Sequence, residues 1–167
     1  TNIKHIKYNL DDFSLNKSEL FNAIDEIKLL FIPNPNQPIE DNVDNDFLAK
    51  VASKCLENDA LLVIDEAYFG FGCSTAKSLL SDYPNLLIMR TFSKGFGMPS
   101  IRVGYMMGEE RLINLLTQKR VSYETTKYSA HIAINLLKNI KYVEEYNNSI
   151  SKSREMIVID IQGMGYR

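Results

Sequence analysis

The strand arrangement of this chain follows from residues 86–108, which read LLIMRTFSKGFGMPSIRVGYMMG. The apolar run over residues 86–89 is typical of a buried strand. A loop with two hydroxyl groups, one lysine and two glycines follows over residues 91–97. Residues 102–107 then predict a second strand, which begins with an arginine. Because the gap between these strands is too short for a helical crossover, we expect the second strand to run antiparallel to its neighbour.

Lys94 lies at the centre of this segment and suggests a chemistry. An amine flanked by apolar strands is expected to lose water, which favours its neutral, nucleophilic form. The hydroxyl groups and glycine amides of the loop, together with Arg102, make a cradle suited to a dianion. An amine beside a phosphate cradle is what a pyridoxal phosphate Schiff base requires. A lysine in a glycine-rich loop can also be simply solvated, so the loop alone does not decide between these interpretations.

A second apolar run, residues 60–64, ends in two acids and a tyrosine. It predicts a strand buried on both faces of a parallel sheet. Asp65 follows at its carboxyl end, where open α/β sheets bind ligands. A carboxylate beside a pyridine nitrogen keeps that nitrogen protonated, which makes the ring a better electron sink. Asp65 is equally compatible with a helix cap or a surface turn, and we assign Glu66 a structural role.

The remaining segments predict strands that alternate with helices. An apolar run predicts a strand over residues 28–32. Apolar residues at three- and four-residue spacing predict helices over residues 42–57, 109–116, 128–140 and 142–161. This order indicates an α/β fold with a mainly parallel sheet flanked by helices.

The composition argues against a nucleic-acid-binding, membrane-spanning or disulfide-rich protein. The chain has 167 residues, which is enough for one ordinary domain. Its formal net charge of −2 offers no basic face for nucleic acid, and its apolar runs are too short to cross a bilayer. Cys55 and Cys73 have neither metal-ligand nor disulfide spacing. We therefore expect a cytoplasmic protein with no metal site, no nucleic-acid partner and no membrane segment.

The lysine loop resembles the cofactor-binding segment of the class I/II aminotransferases. The resemblance rests on TFSKGFG at residues 91–97, IRVGY at residues 101–105 and DEAY at residues 65–68. The histidinol-phosphate aminotransferase branch of that family is the most similar. The resemblance implies the large domain of the fold-type I pyridoxal phosphate enzymes, which agrees with the fold class expected from the patterns.

The resemblance also implies roles for the residues of the loop. Lys94 would form the internal aldimine with pyridoxal 5'-phosphate, and it would later move the proton between the substrate and the cofactor. Ser93 and Arg102 would hold the cofactor phosphate. Thr91 is a weaker candidate for the same anion.

Three further residues acquire roles from the resemblance. Asp65 would pair with the pyridine nitrogen, and Tyr68 would contact the phenolic oxygen of the cofactor. The loop NPNQPI at residues 34–39 stands where the family has Asn-Pro-Asn-Asn-Pro-Thr-Gly, whose asparagine before the last proline donates to that oxygen. Gln37 takes this place and carries the amide one methylene further out. The contact is then kept, or it is lost at a cost of about 1–3 kcal/mol.

The implied reaction is transamination of an amino acid or amino-alcohol phosphate between a small-molecule amino donor and a keto acceptor, in a homodimeric enzyme of amino-acid biosynthesis. Because Gln37 departs from the transaminase pattern, a phospho-amino-acid decarboxylase similar to threonine-phosphate decarboxylase is the alternative. Family members are much longer than this chain. We therefore expect residues 1–167 to be an incomplete large domain that lacks the N-terminal arm and the C-terminal small domain, and that is inactive when isolated. The exact substrate is not readable from these residues.

Overall fold

The structure is a computed structural model that describes residues 2–39, 41–120 and 124–166. Its centre is a four-stranded sheet in which the strands lie in chain order. The strands are β1 (Leu29–Pro33), β2 (Leu61–Asp65), β3 (Leu86–Thr91) and β4 (Gly104–Gly108). The first three run parallel, and β4 pairs antiparallel with β3. The expected α/β class is therefore confirmed, and so is the antiparallel strand after the lysine loop.

Five α-helices lie within the described residues. They are α1 (Lys17–Ala23), α2 (Asn45–Glu57), α3 (Glu110–Thr117), α4 (Lys127–Lys138) and α5 (Ile140–Gly163). Short 3₁₀ segments occupy Ile24–Glu26, Ala76–Ser81 and Pro99–Ile101. The four helices expected from periodicity are all present, within a few residues of their expected limits. No helix of the described segments is long and apolar enough to cross a membrane.

Helix α2 illustrates how the local sequence forms an element. The side chain of Asp44 accepts a hydrogen bond from the Phe47 amide at 2.7 Å and caps the first turn. The helix therefore begins at Asn45 rather than at residue 42. Its apolar stripe faces the core, and the buried members are Leu48, Val51, Ala52 and Cys55.

Two apolar clusters hold the elements together. The larger one joins one face of the sheet to α2, and its strand residues include Leu30, Ile32, Leu62, Ile64, Leu86 and Ile88. The smaller one lies around the loop after β3 and contains Phe92, Phe96, Ile101, Ala133 and Val143. The last two belong to α4 and α5, so the smaller cluster attaches the lysine loop to these helices. Burial of each phenylalanine side chain contributes about 2–3 kcal/mol to that attachment.

Candidate active site

The candidate site lies where β2 and β3 end. Asp65 is the last residue of β2, and its Cα pairs with that of Met89 in β3. Because carboxyl ends of parallel strands meet at one edge of a sheet, the turn after Asp65 and the loop after β3 are neighbours. The Nζ atom of Lys94 lies 5.2 Å from the ring centroid of Tyr68. The two segments singled out from the sequence therefore meet in space.

The side chain of Asp65 shapes the turn that carries Tyr68. It is half-buried, and its Oδ1 atom accepts a hydrogen bond from the Ala67 amide at 2.9 Å. The Phe69 amide donates to the Glu66 carbonyl at 2.9 Å and closes the same turn. Asp65 thus makes the turn-forming contact that was one of the two interpretations of the sequence, at the edge of the sheet where open α/β proteins bind ligands.

Ser93 and Arg102 come together as a pair. The Nη1 atom of Arg102 lies 3.4 Å from the Ser93 hydroxyl and donates to the Pro99 carbonyl at 2.9 Å. The Thr91 hydroxyl accepts from the Ser93 amide at 3.1 Å and donates to the Val103 carbonyl at 3.4 Å. The hydrogen bonds of Thr91 therefore shape the loop. The Ser93 hydroxyl and the Arg102 guanidinium, which lie side by side, suit an anion.

Lys94 is not in the dry setting expected for it. Its side chain is exposed, whereas Phe92 and Phe96 on either side are buried, with relative exposures of 2% and 7%. The two rings pack at a centroid distance of 4.5 Å. The apolar neighbours that suggested a dehydrated amine are the anchors of the loop, and the lysine between them faces solvent. The expectation of a dry amine is thus wrong for this chain.

A cleft of about 310 Å³ lies beside the Tyr68 side chain. Its lining includes Gln37, Asn42, Tyr68, Phe71 and Arg154. Gln37, which is exposed, and Tyr68 therefore line one cavity, as they must if both contact the same ligand oxygen.

Cys73 belongs to the wall of this cleft. Burial raises the pKa of its thiol, so the sulfur stays protonated at neutral pH. The thiol donates a long hydrogen bond of 3.7 Å to the Tyr68 carbonyl. Cys73 thus supports the backbone of the turn as a neutral group.

The sequence interpretation missed a buried ion pair next to the site. Glu66 is 1% exposed, and its Oε2 atom lies 2.8 Å from the Nη2 atom of Arg90 on β3. The Ala76 amide donates to Glu66 at 2.7 Å, and the Thr75 hydroxyl donates at 2.9 Å. The structural role expected for Glu66 fits these contacts. A signal for Arg90 was present, because an acid at the end of a buried strand requires a cationic or hydrogen-bonding partner.

Comparisons with known proteins show the family of this chain. The model of the family described as aminotransferase class I and II matches residues 1–166. Histidinol-phosphate aminotransferase of Blochmanniella floridana is 35% identical over 151 residues, which cover 88% of this chain and 42% of that protein.

Solved structures of similar proteins share the fold. The histidinol-phosphate aminotransferase from Clostridium acetobutylicum superposes with a TM-score of 0.86 at 25% identity, covering 94% of this chain and 48% of that one. The enzyme from Sinorhizobium meliloti, solved in complex with pyridoxal-5'-phosphate, gives a TM-score of 0.82 at 25% identity. The match covers 93% of this chain and 43% of that one. This chain therefore spans less than half the length of the relatives that it matches.

Proposed function

We propose pyridoxal phosphate-dependent transamination for this chain, which belongs to the aminotransferase class I and II family. The proposed substrates are an amino acid or amino-alcohol phosphate as amino donor and a small keto acid as acceptor, by analogy with relatives named histidinol-phosphate aminotransferase. The observation that carries the proposal is the position of the Lys94 amine, 5.2 Å from the Tyr68 ring, at the edge of the sheet where Asp65 ends β2.

The chemistry of the side chains fits the cofactor. The Ser93 hydroxyl and the Arg102 guanidinium, 3.4 Å apart, supply a hydrogen-bond donor and a cation for a phosphate dianion. The primary amine of Lys94 suits attachment of an aldehyde. Thr91 is the weaker phosphate ligand, because its hydroxyl already bonds within the loop. Asp65 supplies the carboxylate for the ring nitrogen.

Each residue then has a defined task. The bound cofactor supplies an electron sink for the bond that breaks at the substrate α-carbon. The Asp65 carboxylate would keep the ring nitrogen protonated, and each pKa unit of that preference is worth about 1.4 kcal/mol. Tyr68 and Gln37, which line the same cleft, would orient the phenolic oxygen by hydrogen bonds. Once the amino group of the donor has displaced the Lys94 amine, that amine would accept the proton of the substrate α-carbon as a general base and deliver it to the cofactor as a general acid.

We further propose that these residues form the cofactor-binding large domain of a longer, cytoplasmic, homodimeric enzyme. Three observations support this. The chain spans 42% of a relative's length, and the Lys94 side chain faces solvent. Apolar side chains are also exposed on β1 and α5, among them Phe31 at 51% and Ile157 at 57%. Apolar surface of this kind is commonly covered by other protein.

Borohydride reduction followed by peptide mass spectrometry tests the proposal. In the full-length protein supplied with pyridoxal 5'-phosphate, we expect a pyridoxyl group on the peptide that contains Lys94. Lys94→Ala abolishes this label, whereas Lys77→Ala, which removes another exposed lysine, leaves it in place. A label that persists in Lys94→Ala contradicts the assignment. Weak or absent labelling of the 167-residue chain alone is expected if the site requires a further domain.

Decarboxylation is the second candidate, because Gln37 stands at the position where the transaminase pattern has an asparagine. The same preparation distinguishes the two reactions. Incubation with phosphorylated amino acids releases carbon dioxide if the enzyme is a decarboxylase. Interconversion of 2-oxoglutarate and glutamate without carbon dioxide release identifies transamination.

A further inference from the structure

A cluster of five side chains, with the buried pair of Glu66 and Arg90 at its centre, supports the turn that carries Tyr68. Its members are Glu66, Phe69, Thr75, Arg90 and Tyr105. We infer that Arg90 is a positioning residue, which holds the Tyr68 phenol in place beside the Lys94 amine. The inference rests on the proposed function of the site, because it assigns Arg90 a part in the same reaction through another residue.

Every nitrogen of the Arg90 guanidinium is used. Nε and Nη2 lie 2.9 and 2.8 Å from Oε2 of Glu66, and Nη2 also donates to the Thr75 hydroxyl at 2.7 Å. Nη1 lies 3.5 Å from the Tyr105 hydroxyl on β4. The face of the guanidinium stacks on Phe69, with Cζ 3.5 Å from the ring centroid. One side chain on β3 therefore connects the turn after β2, the segment at Thr75 and β4.

The residues that Arg90 contacts lie on both sides of Tyr68 in the sequence. Glu66 comes two residues before Tyr68, and Phe69 comes directly after it. Arg90 contacts both, so it restrains the turn on each side of the tyrosine. Arg90 also comes four residues before Lys94 in the strand and loop that lead to the amine. The position of the Tyr68 ring relative to the strand that leads to Lys94 therefore depends in part on this side chain.

Burial makes this dependence strong. The side chains of Arg90 and Glu66 are 8% and 1% exposed. Removal of the guanidinium leaves the Glu66 carboxylate buried without its cation, so the acid must take up a proton or the turn must open to water. Either change shifts the turn relative to Lys94. A lysine at position 90 keeps the charge but has no planar fork to reach Glu66, Thr75 and Tyr105 together.

The test is a double-mutant cycle in the full-length holoenzyme, read from the absorption band of the bound cofactor. The midpoint of its spectroscopic pH titration reports the surroundings of the Lys94 nitrogen and of the phenolic oxygen, independently of turnover. We expect Arg90→Met to move the midpoint by at least half a pH unit, which is a threefold change in the ionisation constant, and Arg90→Lys to move it less. In the Tyr68→Phe background neither substitution moves it further, because the phenol that Arg90 positions is absent.

Lys54→Met is a matched control, because Lys54 also stacks on a phenylalanine and pairs with an acid. Its Nζ lies 4.6 Å from the Phe21 ring centroid and 3.0 Å from Asp25, on the helix α2 side of the sheet. We expect Lys54→Met to lower the melting temperature and leave the spectroscopic midpoint unchanged. If Arg90→Met does not fold, the comparison uses Arg90→Lys with and without Tyr68→Phe.

Two results overturn the inference. One is an unchanged midpoint in a folded Arg90 variant. The other is an equal shift with and without the phenol of Tyr68, which would mean that Arg90 acts on the site without positioning that residue. The proposed function fails in a different way, because the wild-type protein would then show no cofactor absorption band at all.

Discussion

Arg102 combines an unusual backbone with a candidate role. Its φ of +52° is left-handed, a conformation that costs most residues other than glycine about 1–2 kcal/mol. It follows the 3₁₀ segment Pro99–Ile101, and its guanidinium donates back to the Pro99 carbonyl. This geometry brings the guanidinium to within 3.4 Å of Ser93. Backbone strain at a position with a functional side chain is a pattern seen at ligand sites.

Arg102→Gly separates stability from cofactor binding. Relief of the left-handed strain offsets the larger unfolded-state entropy of glycine, so we expect the free energy of unfolding to change by less than about 1 kcal/mol. Loss of the charged hydrogen bond to phosphate weakens pyridoxal phosphate binding by at least about tenfold. Urea unfolding and cofactor titration of the full-length protein measure the two effects. Undiminished cofactor affinity in this variant would remove Arg102 from the phosphate site.

At the scale of elements, the start of α2 connects three parts of the fold. The buried Asn34 side chain accepts from the Val43 amide at 2.9 Å and donates to the Val43 carbonyl at 3.0 Å. These bonds join the loop after β1, which carries Gln37, to the segment before the helix. Asp44, the cap of α2, also contacts Lys17 of α1 at 2.9 Å. The loop and both helices thus meet at one helix terminus.

Asp44→Ala tests the contribution of this terminus. Hydrogen bonds from Lys17 and from the Phe47 amide lower the pKa of the Asp44 carboxyl below its ordinary value of 3.8. Loss of the cap destabilises the chain by about 1 kcal/mol at pH 7. Because the folded pKa is depressed, this contribution is present above about pH 4 and is lost as the pH falls through the folded value. Urea unfolding at pH 7 and pH 3 measures it.

The matched variant is Asp44→Asn, which keeps a capping oxygen and removes the charge that pairs with Lys17. We expect it to lose less stability than Asp44→Ala at neutral pH. Equal losses in the two variants would mean that the helix cap contributes nothing and that the ion pair accounts for the effect.

At the scale of the whole molecule, one core joins α2 to the sheet. Cys55 is fully buried in it, beside side chains of β2 and β3. Burial raises the pKa of its thiol to about 11. The thiol therefore remains protonated in the folded chain at pH values where the unfolded chain has already lost that proton.

Alkaline unfolding reports on this thiol. The unfolded thiol ionises near pH 9 and the folded one near 11, so stability is retained below pH 9 and declines up to pH 11. A difference of two pKa units corresponds to a decrease of about 3 kcal/mol in the free energy of unfolding. We expect Cys55→Ala to be less stable at pH 7, because it leaves a small cavity, and to have a flatter dependence on pH above 9. Parallel pH curves for the two proteins would show that Cys55 is not the group responsible.

Local patterns were sufficient for the order of strands and helices and for the edge where the site lies. Apolar runs and three- to four-residue spacings within short segments predict strand β2 and helix α2. The carboxyl ends of parallel strands must share an edge of the sheet, which brings Tyr68 and Lys94 together. The family resemblance, confirmed by the comparisons, supplied the candidate roles.

The folded chain alone revealed the solvent exposure of Lys94 and the buried pair of Glu66 with Arg90. These features depend on which side chain faces the core and on partners as far apart as 24 residues in the chain. Residue type and spacing constrain backbone conformation over one or two turns, whereas burial and ion pairing arise only when distant segments pack against each other.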